Sequence, residues 1–585
     1  MLLVNGKIYS VSIDDKRIRG SAVAVSGGKI IAVGNDDEIK PYIGDNTRVF
    51  DCEGNTILPG LCDAHCHPSF AASFLVACDL YTVRAEGSDS CDDVIEKYKN
   101  RIRQYISEHP DEKIIRGTGW NLAYFNGSGG EFRLPDRHDL DQISTEKPIL
   151  LESYCQHNLW ANTKALEIAG IDENTKTPQS GTVRRDADGY PTGLFQEFSA
   201  INLVKEAIPE YDYSVEKYKT TILTYQKTLA NIYGVTLAND CLQTFNAIEA
   251  YKQLAEEGLL TMRFRGVYPV DSDKAEEMFQ EALDRKGKDN AGDCYGINTI
   301  KIFIEGEMCM CEPWEKEITT VLGLPEDYCS QAFWTEEKAG EYIKKALASG
   351  FQVHIHAMGD RSVKQAVNAL EYAQKEVPGD HRCAIAHLMA VKPEDIEKIG
   401  ELKTICAVQP RWAVYDTDVE DFYTPYFGRE RALRFYPIKQ LIDAGGVTVF
   451  GTDFPVTPPP NPYHEIQCAI TREVFKDAPD YDRFKGRALG PDGNERRDCT
   501  SLDEAIKSLT INGAYFNYLE DITGSIEIGK SADLVVLDND IENMPVDEIY
   551  KIKARATFFK GRQVYSDCES GFPGQKGVVE DTGTH

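Results

Sequence analysis

The 585-residue sequence is poor in basic side chains relative to acidic ones. It contains 64 lysines and arginines against 94 aspartates and glutamates, which gives a formal net charge of −30 at pH 7. A surface that binds the phosphates of a nucleic acid needs an excess of positive charge. The charge balance therefore predicts that the protein has no nucleic-acid partner.

Long hydrophobic runs are also missing. No stretch approaches the roughly 18–20 uninterrupted apolar residues of a membrane span, and the first residues, MLLVNGKIYSVSIDD, lack the basic region of a signal peptide. The 16 cysteines are scattered without a CxxC pair, which is typical of reduced, buried thiols. We therefore expect a cytoplasmic protein with no membrane partner.

Two common catalytic motifs are absent as well. The sequence has no GxSxG of a serine hydrolase and no GxGxxG after a strand, so serine-based hydrolysis and dinucleotide binding find no support. Apolar residues nevertheless make up 42% of the chain. That share is sufficient for a large folded core and excludes disorder as the main state.

Strand-like and helix-like segments alternate along most of the chain. Eight segments read as buried strands, from TILPGLCDAHCH to VTVFGTDFPV, and helical segments such as SVEKYKTTILTYQKTLANIYG lie between them. Alternation of this kind predicts an α/β protein with a (β/α)8 TIM-like barrel. In such barrels the chemistry takes place at the carboxyl ends of the strands.

Both chain ends have a different pattern, with short alternating strands and glycine turns. Because chain ends often lie close together, we expect one small β-sandwich built from both. Glycine-rich loops interrupt the alternation after the first barrel strand and predict a cap over the barrel mouth. The expected division is 1–58 as the amino-terminal portion of the β-sandwich, 59–68 and 213–520 as the barrel, 69–212 as the insertion, 521–568 as the carboxyl-terminal portion of the β-sandwich, and 569–585 as a flexible tail.

Titratable residues recur at or near the ends of the predicted barrel strands. They are His65, His67, Lys301, His354, His356, His387 and Asp453. His65 and His67 are two residues apart on a strand, so both imidazoles face the same side. An unmodified lysine facing the barrel interior is costly unless it is paired. Each residue alone could have a structural role, but their shared position predicts a metal centre.

This pattern resembles the amidohydrolase superfamily of metal-dependent hydrolases, and more narrowly the branch that includes N-substituted formamide deformylase. The likeness extends over almost the whole chain. It runs through LPGLCDAHCH, GTGWN, QHNLWANTKALEIAGI, GYPTGLFQE, VHIHAMGDRSV, IAHL, AVQPRW, GTDFPV and SLTINGAYFNYLEDITGSIEIGKSADLVVLD.

The resemblance implies a role for each strand-end residue. His65 and His67 would bind the more buried metal together with Asp453. Lys301 would react with CO2 to form a carbamate that bridges two metals. The second metal would be held by His356 and His387, and His354 would support these ligands.

One segment departs from the branch. Glu305-Gly306-Glu307 follows the strand lysine, where the branch carries Asp-Gly-Ser. Because Glu305 shares a strand face with Lys301, its carboxylate is an alternative bridge. A site with a single metal also stays open, so we expect one or two metals per chain.

Imidazole and carboxylate ligands suit Zn2+, although Fe2+, Mn2+ or Ni2+ fit the same set. The metal would lower the pKa of water from 15.7 to about 7, and Asp453 would carry the proton to the leaving nitrogen. The expected reaction is hydrolysis of an amide or related non-peptide C–N bond in a small organic molecule. A deaminase or lactonase using the same metal site is one alternative, and a catalytically silent scaffold is another.

Four further residues are candidates for the substrate pocket. Trp120 and His157 resemble positions that line the pocket in this branch, while Arg411 and Trp412 follow the seventh predicted strand. The Arg411 guanidinium could pair with a substrate carboxylate, although an ion pair within the protein explains this arginine equally well. The resemblance is also compatible with a homodimer.

Overall fold

A computed structural model of the chain describes residues 1–86, 88–125, 133–208, 210–306, 308–321, 324–491 and 498–567. The predicted tail, 569–585, and the glycine-rich loop NGSGGEF lie outside the described residues. Within the described part of the chain, no helix combines the length and apolar character needed to cross a bilayer.

The strands fall into an amino-terminal group, an insertion group, a barrel group and a carboxyl-terminal group. The first is β1 Leu2–Val4, β2 Lys7–Ile8, β3 Ser10–Val11, β4 Arg17–Ile18, β5 Ala22–Ser26, β6 Lys29–Gly34, β7 Val49–Asp51 and β8 Thr56–Pro59. After β9 Leu61–Cys66 come β10 Cys78–Asp79, β11 Ile115–Trp120, β12 Ile149–Ser153, β13 Asn158–Ala161, β14 Thr182–Arg185 and β15 Pro191–Gln196. The others are β16 Val235–Asp240, β17 Arg263–Pro269, β18 Tyr295–Phe303, β19 Gln352–Ala357, β20 Ala384–His387, β21 Ile405–Val408, β22 Val447–Phe450, β23 Leu534–Leu537, β24 Ala554–Phe559 and β25 Arg562–Ser566.

Helices connect the strands throughout the described residues. The first ten are α1 Asp36–Ile39, α2 Ala71–Val76, α3 Cys91–Glu108, α4 Arg137–Asp141, α5 Thr163–Ala169, α6 Phe198–Lys205, α7 Val215–Tyr225, α8 Phe245–Glu256, α9 Ala275–Arg285 and α10 Lys316–Val321. They are followed by α11 Glu336–Ala348, α12 Asp360–Glu376, α13 Pro393–Glu401, α14 Thr424–Phe427, α15 Arg429–Ala432, α16 Ile438–Asp443, α17 Pro462–Thr471, α18 Tyr481–Phe484, α19 Leu502–Ser508 and α20 Ile511–Phe516.

Eight strands form a parallel, nearly closed barrel in the described structure. Their order is β22-β21-β20-β19-β18-β17-β16-β9, so neighbours follow one another along the chain apart from the insertion. Strands such as β20 and β21 are buried along their whole length, which explains their continuous apolar sequences. The predicted α/β class and the predicted barrel strands are confirmed.

The first predicted barrel strand is two strands in the structure. TILPGLCDAHCH divides at Gly60 into β8, which pairs with β23, and β9, which pairs with β16. A Cβ at Gly60 would lie 2.1 Å from the Thr236 hydroxyl oxygen, so only glycine allows this close approach. The chain thereby passes from the terminal sheet into the barrel.

Strands from both chain ends lie in one five-stranded sheet, with the order β2-β8-β23-β24-β25. A second, four-stranded sheet has the order β6-β5-β1-β7. Apolar side chains from both sheets pack in one cluster, including Val23 and Phe50 from one and Leu534 and Phe558 from the other. This shared cluster is compatible with the expected sandwich.

The chain between β9 and β16 forms a separate six-stranded sheet with the order β10-β11-β12-β13-β15-β14. Trp120 and Trp160 are in the main apolar cluster of this sheet, and Leu150 and Phe195 are in a second cluster. The inserted segment thus has apolar cores of its own. The residue bounds of the insertion and of the other units stay predictions.

A buried ion pair joins the barrel to the carboxyl-terminal sheet. Arg263 on β17 is 1% exposed and its guanidinium contacts the carboxylate of Asp533, just before β23. Asp533 also accepts hydrogen bonds from the Thr523 hydroxyl at 2.8 Å and the Lys560 backbone N–H at 2.9 Å. The carboxylate therefore compensates the buried guanidinium and fixes the start of β23.

We expect the substitution Asp533→Asn to lower the free energy of unfolding by about 3–5 kcal/mol, because it removes the buried carboxylate that compensates Arg263 and leaves the guanidinium only the part-exposed Asp293, at 3.2 Å. Urea denaturation followed by circular dichroism measures this change. The matched control is Glu206→Gln, which breaks an exposed 2.9 Å pair with Lys274 and should cost less than about 1 kcal/mol. Equal effects of the two substitutions would contradict the proposed role of the buried pair.

Candidate metal centre

The predicted ligands at the ends of two strands, β9 and β22, converge at one end of the barrel. The His67 Nε2 atom is 3.1 Å from Asp453 Oδ1, and the His65 Nε2 atom is 3.4 Å from the same oxygen. One ligand atom from each of these residues lies within 4.8 Å of the others, and all three side chains are buried. The structure thus brings together the trio that was expected to hold the more buried metal.

The backbone around β9 and β22 explains this convergence. The Asp63 carboxylate accepts hydrogen bonds from the Thr452 backbone N–H at 3.0 Å and from its hydroxyl at 2.6 Å. The next N–H, of Asp453, donates to the His65 carbonyl at 2.8 Å. A Cβ at Gly451 would lie 2.5 Å from the His65 nitrogen. These contacts join the first strand to the segment after the eighth.

The histidines from β19 and β20 form the other side of the centre. The ring centroids of His356 and His387 are 4.6 Å apart. His387 Nδ1 is 3.0 Å from the Gln409 amide oxygen, which fixes Nδ1 as the donor and leaves Nε2 for a metal. His387 also stacks on Trp412, whose indole N–H donates to the Thr457 hydroxyl at 2.7 Å. Of the pocket candidates, Trp412 therefore supports a predicted ligand directly.

Burial keeps these imidazoles neutral. It lowers the pKa of His387 to about 4 and the pKa of His65 and His356 well below the usual range, and the Lys301 ammonium lowers them further. Neutral imidazole is the form that binds a metal. Several ring nitrogens, including His67 Nδ1 and His356 Nε2, have no hydrogen-bond partner in the part of the chain that the structure describes. Buried lone pairs of this kind fit a bound divalent metal.

Lys301 lies close enough to His65 and His387 to interact with them electrostatically. Its side chain is 1% exposed, its Nζ has no hydrogen-bond partner among the described residues, and it lies 4.9 Å from the Phe303 ring centroid. Burial lowers the pKa of Lys301 to about 8, although Cys241 and Asp453 oppose this shift. A minor fraction of the amine, larger than in an exposed lysine, is therefore uncharged near neutral pH, and the uncharged amine is the nucleophilic form.

Glu305 does not lie among the described residue groups that could hold an ion. Its buried carboxylate accepts hydrogen bonds from the backbone N–H groups of Cys309, Met358 and Gly359, the last at 2.9 Å. Burial raises the pKa of Glu305 to about 7 despite these bonds. The sequence placed Glu305 beside Lys301, but the structure uses its carboxylate to fix the loops after β18 and β19.

His354 contacts the predicted ligand His65 and does not belong to the group that contains His67 and Asp453. Its Nε2 atom lies 2.9 Å from Nδ1 of His65, as a supporting role requires. Cys241, which follows β16, completes a second group with these two histidines, and its ligand atom is within 4.8 Å of theirs. Sequence reasoning missed Cys241, although its position at the end of a barrel strand was a usable signal.

The insertion brings one histidine to the centre. The ring centroid of His157 is 5.7 Å from that of His356, and its Nδ1 atom is 2.8 Å from a Glu197 carboxylate oxygen. Burial opposes the charged form, but the Glu197 carboxylate raises the pKa of His157. Glu197 has a φ of +67°, and a Cβ at Gly306 would lie 1.9 Å from its Cδ. The structure thus adds Glu197 to the predicted pocket residues.

Two pocket candidates lie elsewhere. Trp120 is fully buried in the insertion core, where its indole N–H donates to the Leu151 carbonyl at 2.9 Å. The structure therefore places Trp120 in the packing of the insertion, and a role for it at the pocket stays a prediction. The Arg411 guanidinium lies over the Phe475 ring and donates to the Pro458 carbonyl at 3.4 Å. Its contacts are therefore with the protein.

Residues Gly524–Ser531, GSIEIGKS, match the GxxxxGK[ST] pattern of a phosphate-binding loop. The structure excludes that function, because β23 rather than a helix follows the segment. Lys530 Nζ contacts the Ser525 hydroxyl at 2.6 Å and Glu527 at 2.8 Å, and the Ser531 hydroxyl donates to Asp533 at 2.9 Å. The polar groups of the motif are used within the protein.

Comparisons with known proteins agree with this geometry. A model of the amidohydrolase family matches residues 48–565. N-substituted formamide deformylase from Arthrobacter pascens is 24% identical over 96% of this chain and 97% of its own length. Exoenzymes regulatory protein AepA from Pectobacterium carotovorum subsp. carotovorum is 29% identical over 71% of this chain and 86% of its own.

Solved structures show the same fold. The crystal structure of an uncharacterized metal-dependent hydrolase from Pyrococcus horikoshii OT3 has a TM-score of 0.68 at 22% identity. The match covers 93% of this chain and 98% of that one. At this level of identity the likeness concerns the fold.

We expect Glu305→Gln to leave the metal content unchanged and to lower the free energy of unfolding by about 2–4 kcal/mol. The amide nitrogen of glutamine cannot accept the backbone N–H bonds that the carboxylate accepts. Elemental analysis and urea denaturation measure the two quantities, with Glu326→Gln in an exposed 2.9 Å ion pair as the control. Loss of metal at normal stability would restore Glu305 as the bridging ligand.

Proposed function

The chain belongs to the amidohydrolase family, and from this premise we propose that it hydrolyses an amide or related non-peptide C–N bond of a small organic molecule. The observation that carries the proposal is the convergence of His65, His67 and Asp453 at one end of the barrel. The carboxyl ends of barrel strands are where such enzymes place their catalytic residues. The relative named as a formamide deformylase supports the choice of a C–N bond.

We assign the metal ligands by their contacts. His65, His67 and Asp453 would hold one divalent metal, and His356, His387 and a carbamate of Lys301 would hold a second. Zn2+ suits this donor set, and Fe2+, Mn2+ and Ni2+ are also compatible with it. When bound, such a metal supplies Lewis-acid chemistry by polarising a carbonyl and acidifying water.

Asp453 is the proposed proton carrier. Burial alone would protonate its carboxylate, but the bond to His67 and the nearby His387 and Lys301 keep its pKa below the usual value. The carboxylate is therefore ionised at neutral pH and can accept a proton from the attacking water. It would then pass this proton to the nitrogen of the leaving group, which departs as a neutral amine.

His157 is the proposed contact between the insertion and the substrate. Because Glu197 occupies its Nδ1 atom, Nε2 is the ring nitrogen left for a substrate polar group. The side chain is 23% exposed, unlike the metal ligands, so it borders accessible space. The insertion would thereby orient a small molecule over the centre and exclude bulk water from it.

Two alternatives retain the same residues. A deaminase or a lactonase could use this metal site, since the pocket decides which carbonyl or ring carbon is attacked. A silent scaffold agrees with the regulatory name of one relative. The buried ring nitrogens and amine without partners favour an occupied site over a scaffold, because unpaired polar groups are costly to bury.

We expect Asp453→Asn to reduce turnover of a formamide or amide substrate by about 10²–10⁴-fold while most of the metal is retained. The amide cannot accept the proton, whereas the histidine ligands remain. Steady-state kinetics on an N-substituted formamide panel, with elemental analysis of each sample, test this, and Glu206→Gln is the control. Unchanged turnover would remove Asp453 from the mechanism, and a metal-loaded protein inactive on every C–N substrate would favour the scaffold.

Replacement of the lysine tests the proposed carbamate. Lys301→Ala should lose metal and turnover together, and short carboxylic acids such as acetate or propionate should restore a fraction of both. A free carboxylate can occupy the space of the carbamate and supply the same oxygen ligands. Elemental analysis with and without the added acid measures the rescue. Normal metal loading in the variant would show that Lys301 is not a ligand.

A further inference from the structure

Cys241 places a thiol among the histidines of the metal centre. It directly follows β16, is fully buried, and its backbone N–H donates to the Cys66 carbonyl at 2.8 Å on the neighbouring strand. Its ligand atom and those of His65 and His354 all lie within 4.8 Å of one another. In a tetrahedral zinc site, bond lengths of about 2.0–2.3 Å separate the ligand atoms by roughly 3.3–3.8 Å. Small side-chain movements would close this group around an ion.

His65 connects this group to the one that contains Asp453. Its Nε2 atom is 3.4 Å from Asp453 Oδ1, whereas its Nδ1 atom is 2.9 Å from His354 Nε2. A neutral imidazole has one lone pair and one N–H. A cation bound through Nε2 therefore leaves an N–H facing His354, and a cation bound through Nδ1 leaves an N–H facing Asp453. The two positions exclude each other.

The surroundings of the thiol favour a cation. Among the described residues, His354 Nδ1 is buried without a hydrogen-bond partner, and the Cys241 thiol makes a weak 3.5 Å contact with the Asn239 carbonyl. A cysteine binds a metal as the thiolate, so its S–H proton has to leave when the ion binds. A bound cation would displace that proton to solvent, and a thiolate would then balance some of the cation's charge.

We propose that His65, His354 and Cys241 form an inner site for one strongly thiophilic divalent cation, such as Cd2+. This inference rests on the proposed metal-dependent function. Occupation of the inner site takes His65 away from the outer position beside His67 and Asp453. Soft cations are thereby directed inward by the thiolate, while harder cations such as Mn2+ bind at the outer position.

Titration of the metal-free full-length protein with CdCl2 tests the proposal. The first equivalent of cadmium should give ultraviolet thiolate-to-cadmium charge-transfer absorption in the natural protein. Cys241→Ser should lose this absorption and bind cadmium at least about tenfold more weakly. The matched control is Cys406→Ser, which changes a fully buried thiol on β21 and should behave like the natural protein.

A measurement on the natural protein avoids dependence on the folding of the variant. X-ray absorption of the cadmium-loaded protein should show a sulfur neighbour, and nitrogen and oxygen neighbours alone would overturn the proposal. Full absorption in Cys241→Ser would also overturn it, by assigning the signal to another thiol. After either of these results, metal binding and measurable turnover would still support the proposed hydrolase. A protein that binds no metal and turns over no substrate would contradict both the inner site and the proposed hydrolase.

Discussion

The contact between Asp63 and Thr452 determines the geometry of the metal centre. Both carboxylate oxygens of Asp63 bind Thr452, which fixes the segment after β22 against β9. The next residue, Asp453, is then within 3.4 Å of both histidines of the first strand. Because these groups come from opposite ends of the barrel sequence, no local interaction could bring them together. The contacts that join the last barrel strand to the first therefore also bring the residues of the site together.

Burial then gives the assembled side chains their chemical form. Withdrawal from water neutralises His65, His356 and His387 and makes a fraction of Lys301 an uncharged amine, while hydrogen bonding keeps Asp453 ionised. A site of neutral nitrogen donors with one carboxylate is suited to a divalent cation. The insertion adds His157, held by Glu197, at the border of this enclosed space. The barrel therefore supplies the metal ligands, and the insertion supplies His157, which is not one of the proposed ligands.

Patterns along the chain predicted the barrel strands and most residues of the centre, because strand ends are readable from apolar runs and the turns after them. They failed where a side chain's partner is remote in sequence. Glu305 was expected beside Lys301 as an alternative bridge, but its carboxylate binds backbone N–H groups up to 54 positions away. Cys241 was overlooked because it has no second ligand at a fixed spacing, although its position at the end of a barrel strand was a usable signal.

Local periodicity and residue type are sufficient to predict the α/β class, the succession of barrel strands and the histidines, lysine and aspartate at the strand ends. Three features can be seen in the folded chain alone. They are the neighbour that each ring nitrogen of His65 faces, the hydrogen bonds from backbone N–H groups to the Glu305 carboxylate, and the proximity of Cys241 to the histidines. These contacts depend on distances between strands that are neighbours in the barrel but lie far apart in the sequence, separated by the insertion or by almost the whole barrel domain. Periodicity along one strand contains no information about those distances.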